Sequence, residues 1–147
     1  MQICRRTALS LGGSLSMAAL SGCSRLSSEP SYLSLTLLNF DSQEHELILE
    51  ILRADADDYV DAVVVKDQYK LSAPPVDRVA SKRVEDEILE SDTYIVNVGL
   101  EESPATTDTY HFYPALQDDD ERNDRLFIEI RTERDSSELY FDFQQNR

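Results

Sequence analysis

The residue types that can ligate a metal ion are unevenly supplied along this chain. His45 and His111 are its two histidines, whereas acidic residues number 29. The densest group of carboxylates is Asp118, Asp119, Asp120, Glu121 and Asp124. Clustered carboxylate oxygens at short spacing are the ligands that Ca²⁺ prefers, although this loop lacks the glycine and terminal Glu of an EF-hand. It is a candidate cation site, and a solvated acidic loop is the alternative that we favour.

A second acidic group, formed by Asp55, Asp57, Asp58 and Asp61, is open to the same two interpretations. Other chemistries are excluded by composition. Gly99 is the one glycine after residue 22, so Gly-rich phosphate loops and the Gly-x-Ser-x-Gly nucleophile elbow are ruled out. No cysteine follows Cys23, which removes a blue copper site and a cysteine nucleophile. We therefore expect no cofactor, no nucleotide and no enzymatic activity.

An aromatic stretch, Tyr110, His111, Phe112 and Tyr113, stands at the end of a segment with strand-like alternation. Aromatic side chains with polar tips are common in binding surfaces. The stretch is therefore our candidate contact surface for a protein partner. A histidine beside ordinary core aromatics fits the same residues, and the sequence favours that simpler interpretation.

Charge is the strongest compositional signal, because 29 acidic residues outnumber 14 basic ones and give a net charge of −15. Binding to nucleic acid is excluded, since it requires a basic face. The carboxylates are dispersed and lysines are few, a composition that resembles proteins of salt-loving archaea. The resemblance implies lower stability at low salt, where the Debye length grows from about 3 Å at 1 M to about 30 Å at 0.01 M. A focused field for a cation or partner is the alternative.

The first residues have the order of an export signal. Arg5 and Arg6 precede a weakly apolar segment of about fifteen residues, shorter than the roughly twenty that span a membrane. Paired arginines at this place indicate twin-arginine export. The tetrapeptide Leu20-Ser21-Gly22-Cys23 resembles the lipobox of bacterial and archaeal lipoproteins.

That resemblance implies that residues 1–22 are removed and that the Cys23 thiol is alkylated by a lipid. The lipid would hold the chain on the outer face of the cytoplasmic membrane. An ordinary cleaved signal, with Cys23 incidental, is the alternative.

The remaining chain divides into a Ser-rich tether, residues 23–31, and one domain, residues 32–147. Apolar residues then recur at every second position, the period of half-buried strands. Seven or eight strands in an all-β, antiparallel two-layer sandwich are predicted. Residues 76–89 fit a helix or a strand, and we favour a strand. The strand predictions rest on Leu33–Leu37, Leu47–Ile51, Val60–Val65, Tyr94–Val98, Tyr110–Phe112, Leu126–Ile130 and Leu139–Phe143, of which Val60–Val65 and Tyr94–Val98 read as central strands.

The segment from Ser91 to Tyr94 resembles the corner of immunoglobulin-like domains in which a Tyr hydroxyl bonds back to the backbone. The disulfide and core Trp of antibody domains are missing. Together with the signal, the domain is similar to small exported lipoproteins of haloarchaea, which implies location but not activity. Two functions stay open: binding or scaffolding with an envelope protein, and a divalent-cation-binding or metal-dependent envelope enzyme.

Overall fold

The domain is an all-β sandwich, as the alternating apolar pattern predicts. The computed structural model describes residues 30–115 and 123–145. These residues form eight strands and one helical turn in the order β1 Tyr32–Asn39, β2 His45–Arg53, α1 Tyr59–Ala62, β3 Val63–Leu71, β4 Ser81–Glu90, β5 Tyr94–Leu100, β6 Ser103–Phe112, β7 Asp124–Thr132 and β8 Leu139–Gln145.

The strands form two four-stranded sheets. The β1 sheet has the order β4-β1-β7-β8, and the β2 sheet has the order β3-β2-β5-β6. All pairings are antiparallel except that of β1 with β7, which is parallel. The last two strands, β7 and β8, form an antiparallel hairpin. The first and last strands of each sheet pair on one side only. The edge strands are therefore β4 and β8 in the β1 sheet, and β3 and β6 in the β2 sheet.

The core lies between the sheets and is built from every second residue of the central strands. Leu33, Leu35 and Leu37 of β1 are fully buried, as are Leu47 and Leu49 of β2. Each such side chain contributes about 1.5–3 kcal/mol relative to an exposed position. A shift of one residue would turn the whole set away from the space between the sheets, so the apolar period also determines the strand register.

The predicted central strand at Val60–Val65 is wrong. The Asp58 carboxylate accepts a hydrogen bond from the Val60 backbone N–H and caps α1. This cap starts a helical turn where the apolar run predicts extended chain, and it leaves Val60 77% exposed. The strand that follows, β3, lies at the edge of its sheet. The ambiguous segment 76–89 is a strand from Ser81 onward, as favoured.

The predicted tyrosine corner is present between β4 and β5. The Tyr94 hydroxyl donates a hydrogen bond of 2.7 Å to the Glu90 carbonyl oxygen. The Tyr94 ring stacks with Phe112, with centroids 6.4 Å apart. Burial raises the pKa of Tyr94 above its ordinary value of 10.0. The corner thereby links the end of the β1 sheet to the start of a central strand of the β2 sheet.

Candidate binding surface at the β6 and β8 edges

The two open sides of the sandwich differ strongly in charge. On one side β3 faces β4, and on the other β6 faces β8. Nine of the 19 residues in β3 and β4 carry a formal charge, against two of the 17 in β6 and β8. Charges on an edge strand discourage pairing with another chain. The β6/β8 side, defined by these two strands, therefore lacks the protection that the β3/β4 side has.

Backbone irregularity adds to the protection of β4. Its pairing with β1 is interrupted between Leu33 and Leu35, and Glu87 adopts a left-handed backbone with a φ of 50°. Such a bulge bends an edge strand away from a regular ladder. The pairing of β6 with β5 is also interrupted, between Gly99 and Leu100, but it keeps one continuous register from Tyr94 opposite Phe112 to Gly99 opposite Thr107. The free edge of β6 is therefore the more regular template.

Aromatic and amide contacts hold β6 against β8. The rings of Tyr110 and Phe143 stack with centroids 5.1 Å apart and an interplanar angle of 16°. The Gln145 side-chain N–H donates a 2.6 Å hydrogen bond to the carbonyl oxygen of Tyr113. The Tyr110 hydroxyl donates a longer bond, 3.4 Å, to the Gln145 side chain. These contacts join the two sheets and fix the relative positions of the two edges.

The four residues of the predicted aromatic surface do not share one face. His111 is exposed and Tyr113 is 60% exposed, whereas Tyr110 is partly buried against Phe143. Phe112 is fully buried and packs on Tyr94, so its place in that surface must be corrected. The strand period explains the division, because successive side chains point to opposite faces. The stretch thus contributes Phe112 to the core and His111 and Tyr113 to the surface. Neither a contact surface of four residues nor a purely buried aromatic group describes it.

A row of hydrogen bonds crosses the outer face of the β2 sheet to β6. The Thr109 hydroxyl donates a hydrogen bond of 2.8 Å to the Asn97 side-chain oxygen, and the Asn97 amide donates one of 3.5 Å to Glu50. The Tyr59 hydroxyl and the Lys66 ammonium also bond Glu50. The hydrogen bond from Tyr59 is the main reason that the pKa of Glu50 is lowered, and Asn97 and Lys66 act in the same direction against the effect of burial. The row connects the side chains of β6 to those of β5 and β2.

His45 lies between two carboxylates at the opposite end of the sheet from the tyrosine corner. Its Nε2 is 2.8 Å from Asp41 Oδ2, and its Nδ1 contacts Glu102 Oε1. Both ring nitrogens can donate at once only in the charged imidazolium. His45 is 5% exposed. The cluster joins the turn after β1, the start of β2 and the turn between β5 and β6.

This cluster does not have the geometry of nucleophilic catalysis. The Thr132 hydroxyl donates a hydrogen bond of 2.8 Å to Asp41 Oδ1 and not to the imidazole. In a Ser-His-Asp arrangement the hydroxyl must bond the histidine, which then accepts its proton. Both nitrogens of His45 are already engaged with Asp41 and Glu102. The arrangement therefore acts as a structural tie between turns.

The candidate cation sites fall partly outside the described residues. Asp118, Asp119, Asp120 and Glu121 lie there, as do Arg5, Arg6, Leu20, Ser21, Gly22 and Cys23. Asp124 is described, and its place in the acidic loop must be corrected: it is the first residue of β7 and 2% exposed. Its carboxylate accepts hydrogen bonds from the Ser91 hydroxyl and the Ala115 backbone N–H.

The second acidic group surrounds α1, where Asp58 caps the helical turn and Asp61 lies within it. Across residues 30–115 and 123–145, no three His, Cys, Asp or Glu side chains come together in a way that could hold a metal ion. In the same ranges, no helix has the length and apolarity needed to span a membrane.

A surface cavity of about 620 Å³ lies beside the turn between β7 and β8. The Arg131 guanidinium stands 4.2 Å from the centre of the Phe40 ring and 2.6 Å from Glu129 Oε2. The cavity is also lined by Arg134, Glu133 and Asp135, so its walls carry both positive and negative side chains. Of the residues predicted as a site, those that the structure describes do not line this cavity.

Comparison with protein families and with curated proteins finds no match for the chain.

Proposed function

We propose that this chain is a lipid-anchored binding module on the outer face of the cytoplasmic membrane, and that it binds an envelope protein along the free edge of β6. The observation that carries the proposal is the charge contrast between the two open sides of the sandwich. In a chain with a net charge of −15, two adjacent edge strands with only Asp108 and Asp142 as charged residues are a marked exception.

The physical reason is the cost of desolvation. A partner strand that pairs with β6 would satisfy its free backbone N–H and C=O groups, the mode of recognition called β-augmentation. Every charged side chain at such an edge would have to lose water, which is costly unless it finds a partner of opposite charge. A low density of charge is therefore what an edge used for binding requires, and the protected β3/β4 side is what an unused edge requires.

The expected anchor also determines how the edge is presented. β1 begins at Tyr32, directly after the proposed tether, and runs away from that end to Asn39. A lipid on Cys23 would therefore place the Tyr32 end nearest the membrane, with the strands pointing outward. The β6 edge then faces sideways, parallel to the membrane surface. A partner that is itself held at the membrane fits this orientation.

The twin-arginine signal and the lipobox remain proposals that rest on Arg5, Arg6 and the tetrapeptide ending at Cys23. The test is fractionation of cells that express the full chain. We expect wild type in the membrane fraction and Cys23→Ala largely released from it, because the covalent lipid is the anchor. Cys4→Ala is the matched control and should behave as wild type. Equal membrane retention of Cys23→Ala would refute the anchor.

The edge is tested with two matched lysine substitutions. Thr107 and Gln68 are the exposed outer ends of one row across the β2 sheet, joined through Ile48 and Gly99. Thr107→Lys places a charge on the β6 edge, and Gln68→Lys places the same charge on β3. Chemical crosslinking on intact cells at molar salt, followed by mass spectrometry, measures recovery of the partner.

Wild type and Gln68→Lys should crosslink to the same envelope protein, and Thr107→Lys should lose about nine-tenths of that product, as expected when an edge is blocked by lysine. Equal thermal denaturation of the three chains shows that folding is not the cause. Failure of wild type to recover any reproducible partner, or undiminished recovery with Thr107→Lys, would overturn the proposal.

A further inference from the structure

Asp108 is the one acidic residue of β6, and its position is unusual. It lies opposite Val98, a residue 3% exposed whose side chain belongs to the core. By the strand period Asp108 shares the inward face with Tyr110 and Phe112. Nevertheless it is exposed, because β6 is the last strand of its sheet. The carboxylate therefore stands at the rim of the core, at the place where an added strand would lie.

Within the described residues this carboxylate has no cationic partner. Its Oδ1 accepts a 2.8 Å hydrogen bond from the Thr109 backbone N–H. None of the ion pairs in residues 30–115 and 123–145 includes it. An inward-facing charge on an edge strand repels indifferent strands, because pairing would bury it without compensation. The edge thus selects against most partners.

The opposite end of the same row provides a comparison. Asp67 of β3 lies opposite Leu49, which lies opposite Val98, so Asp67 and Asp108 mark the two ends of one inward row. The two carboxylates make the same local contact, since Asp67 Oδ1 accepts a hydrogen bond of 2.8 Å from the Gln68 backbone N–H. The difference is that β3 carries Lys66 and Lys70, whereas β6 has no lysine or arginine.

Resting on the proposed function, we infer that the segment added to β6 is an extended strand with a lysine or arginine opposite Asp108. Opposite charges in directly facing positions stabilise strand pairing, and like charges oppose it. On the same face, the residue opposite Tyr110 is apolar, because it meets the half-buried ring that stacks on Phe143. The partner segment therefore has a basic and an apolar residue two positions apart.

A second copy of β6 does not meet this requirement. The strand has no lysine or arginine to place opposite Asp108. A two-fold pairing centred on Asp108 would also bring two carboxylates together, which is unfavourable. The inferred partner is thus a different, less acidic chain.

The test uses crosslinking on intact cells at molar salt with Asp108→Lys, Asp108→Asn and the matched control Asp67→Lys. Removing the charge should lower the yield of partner crosslink by about threefold, and reversing it should lower the yield by about tenfold. Asp67→Lys should leave the yield unchanged. Sequencing of the crosslinked peptide should find the basic and apolar residues two positions apart.

The outcomes separate this inference from the proposed function. If Thr107→Lys abolishes the crosslink but Asp108→Lys does not, the edge binds a partner and the basic residue is refuted. A crosslinked product that consists of two copies of this chain would also refute it. Circular dichroism of Asp108→Asn, the mildest variant, excludes loss of the fold as the cause of a reduced yield.

Discussion

Tyr110 of β6 stacks on Phe143 of β8 with ring centroids 5.1 Å apart, and this pair joins the two sheets at the side proposed to bind a partner. An offset aromatic pair contributes about 0.5–1.5 kcal/mol beyond the burial of its area. A double-mutant cycle with Tyr110→Leu and Phe143→Leu should therefore return a coupling energy in that range, measured by chemical denaturation at constant salt. The pair Tyr110→Leu and Tyr140→Leu should be additive. Coupling near zero for the first pair would show that the stack does not join the sheets.

The tyrosine corner makes a second prediction. Tyr94→Phe removes the donor to the Glu90 carbonyl while keeping the ring. The bond is part-buried, and a typical hydrogen bond contributes about 0.5–1.5 kcal/mol, so the free energy of unfolding should fall by that amount. Tyr140→Phe, at a 44% exposed tyrosine, is the matched control and should be neutral. Equal unfolding curves for Tyr94→Phe and wild type would mean that water replaces the bond.

The His45 cluster should make stability depend on pH on the acid side. Burial raises the pKa values of Asp41 and Glu102, but hydrogen bonds from His45 outweigh it, together with backbone N–H groups and Thr132 at Asp41, and both pKa values are lowered. The ordinary values are 3.8 and 4.5. Because the folded pKa values are the lower ones, the stabilisation is complete above the ordinary values and is lost as the pH falls below them and through the folded values.

Asp41→Asn should therefore weaken the dependence of the unfolding free energy on pH below about pH 4.5. Chemical denaturation over a series of acidic pH values measures this slope. Asp55→Asn, in an exposed turn, controls for the loss of one negative charge. If Asp41→Asn and wild type keep the same slope, the cluster does not contribute to acid stability.

Tyr69 should make the stability of the fold depend on pH on the alkaline side. Burial raises its pKa to about 12, the charges of Asp67 and Glu85 add to this, and Arg83, 4.9 Å from the ring centre, acts against it. The ordinary value is 10.0. The unfolded chain releases this proton first, so the contribution is complete below pH 10 and is lost as the pH rises toward 12. The tyrosinate absorbance of wild type minus that of Tyr69→Phe should show a step near pH 12; a step near pH 10 would contradict the burial.

Much of the fold follows from the period of the apolar residues. Leu33, Leu35 and Leu37 alternate strictly, and the structure buries all three. Pattern fails where local chemistry competes with it: the Asp58 cap converts the start of an apolar run into a helical turn. The period of apolar residues also does not show which strands pair with each other. The parallel pairing of β1 with β7 therefore could not be predicted from the sequence.

The candidate surface was only partly predictable. The sequence identifies the aromatic stretch, but its division into the buried Phe112 and the exposed His111 depends on which face packs inward. The charge contrast between the two open sides depends on strand order, because β3 and β4, or β6 and β8, become neighbours only in the folded sandwich. The low charge of residues 103–112 is a signal that the sequence does contain.

The central claim, that a partner lies along β6, is tested most directly by site-specific photocrosslinking on intact cells. A photoreactive residue is placed at Thr107, at Thr109 or, on the opposite edge, at Gln68, each of which is exposed. The account predicts crosslinks to one envelope protein from positions 107 and 109 and none from position 68. Crosslinks from position 68 alone, or equally from all three positions, would contradict it.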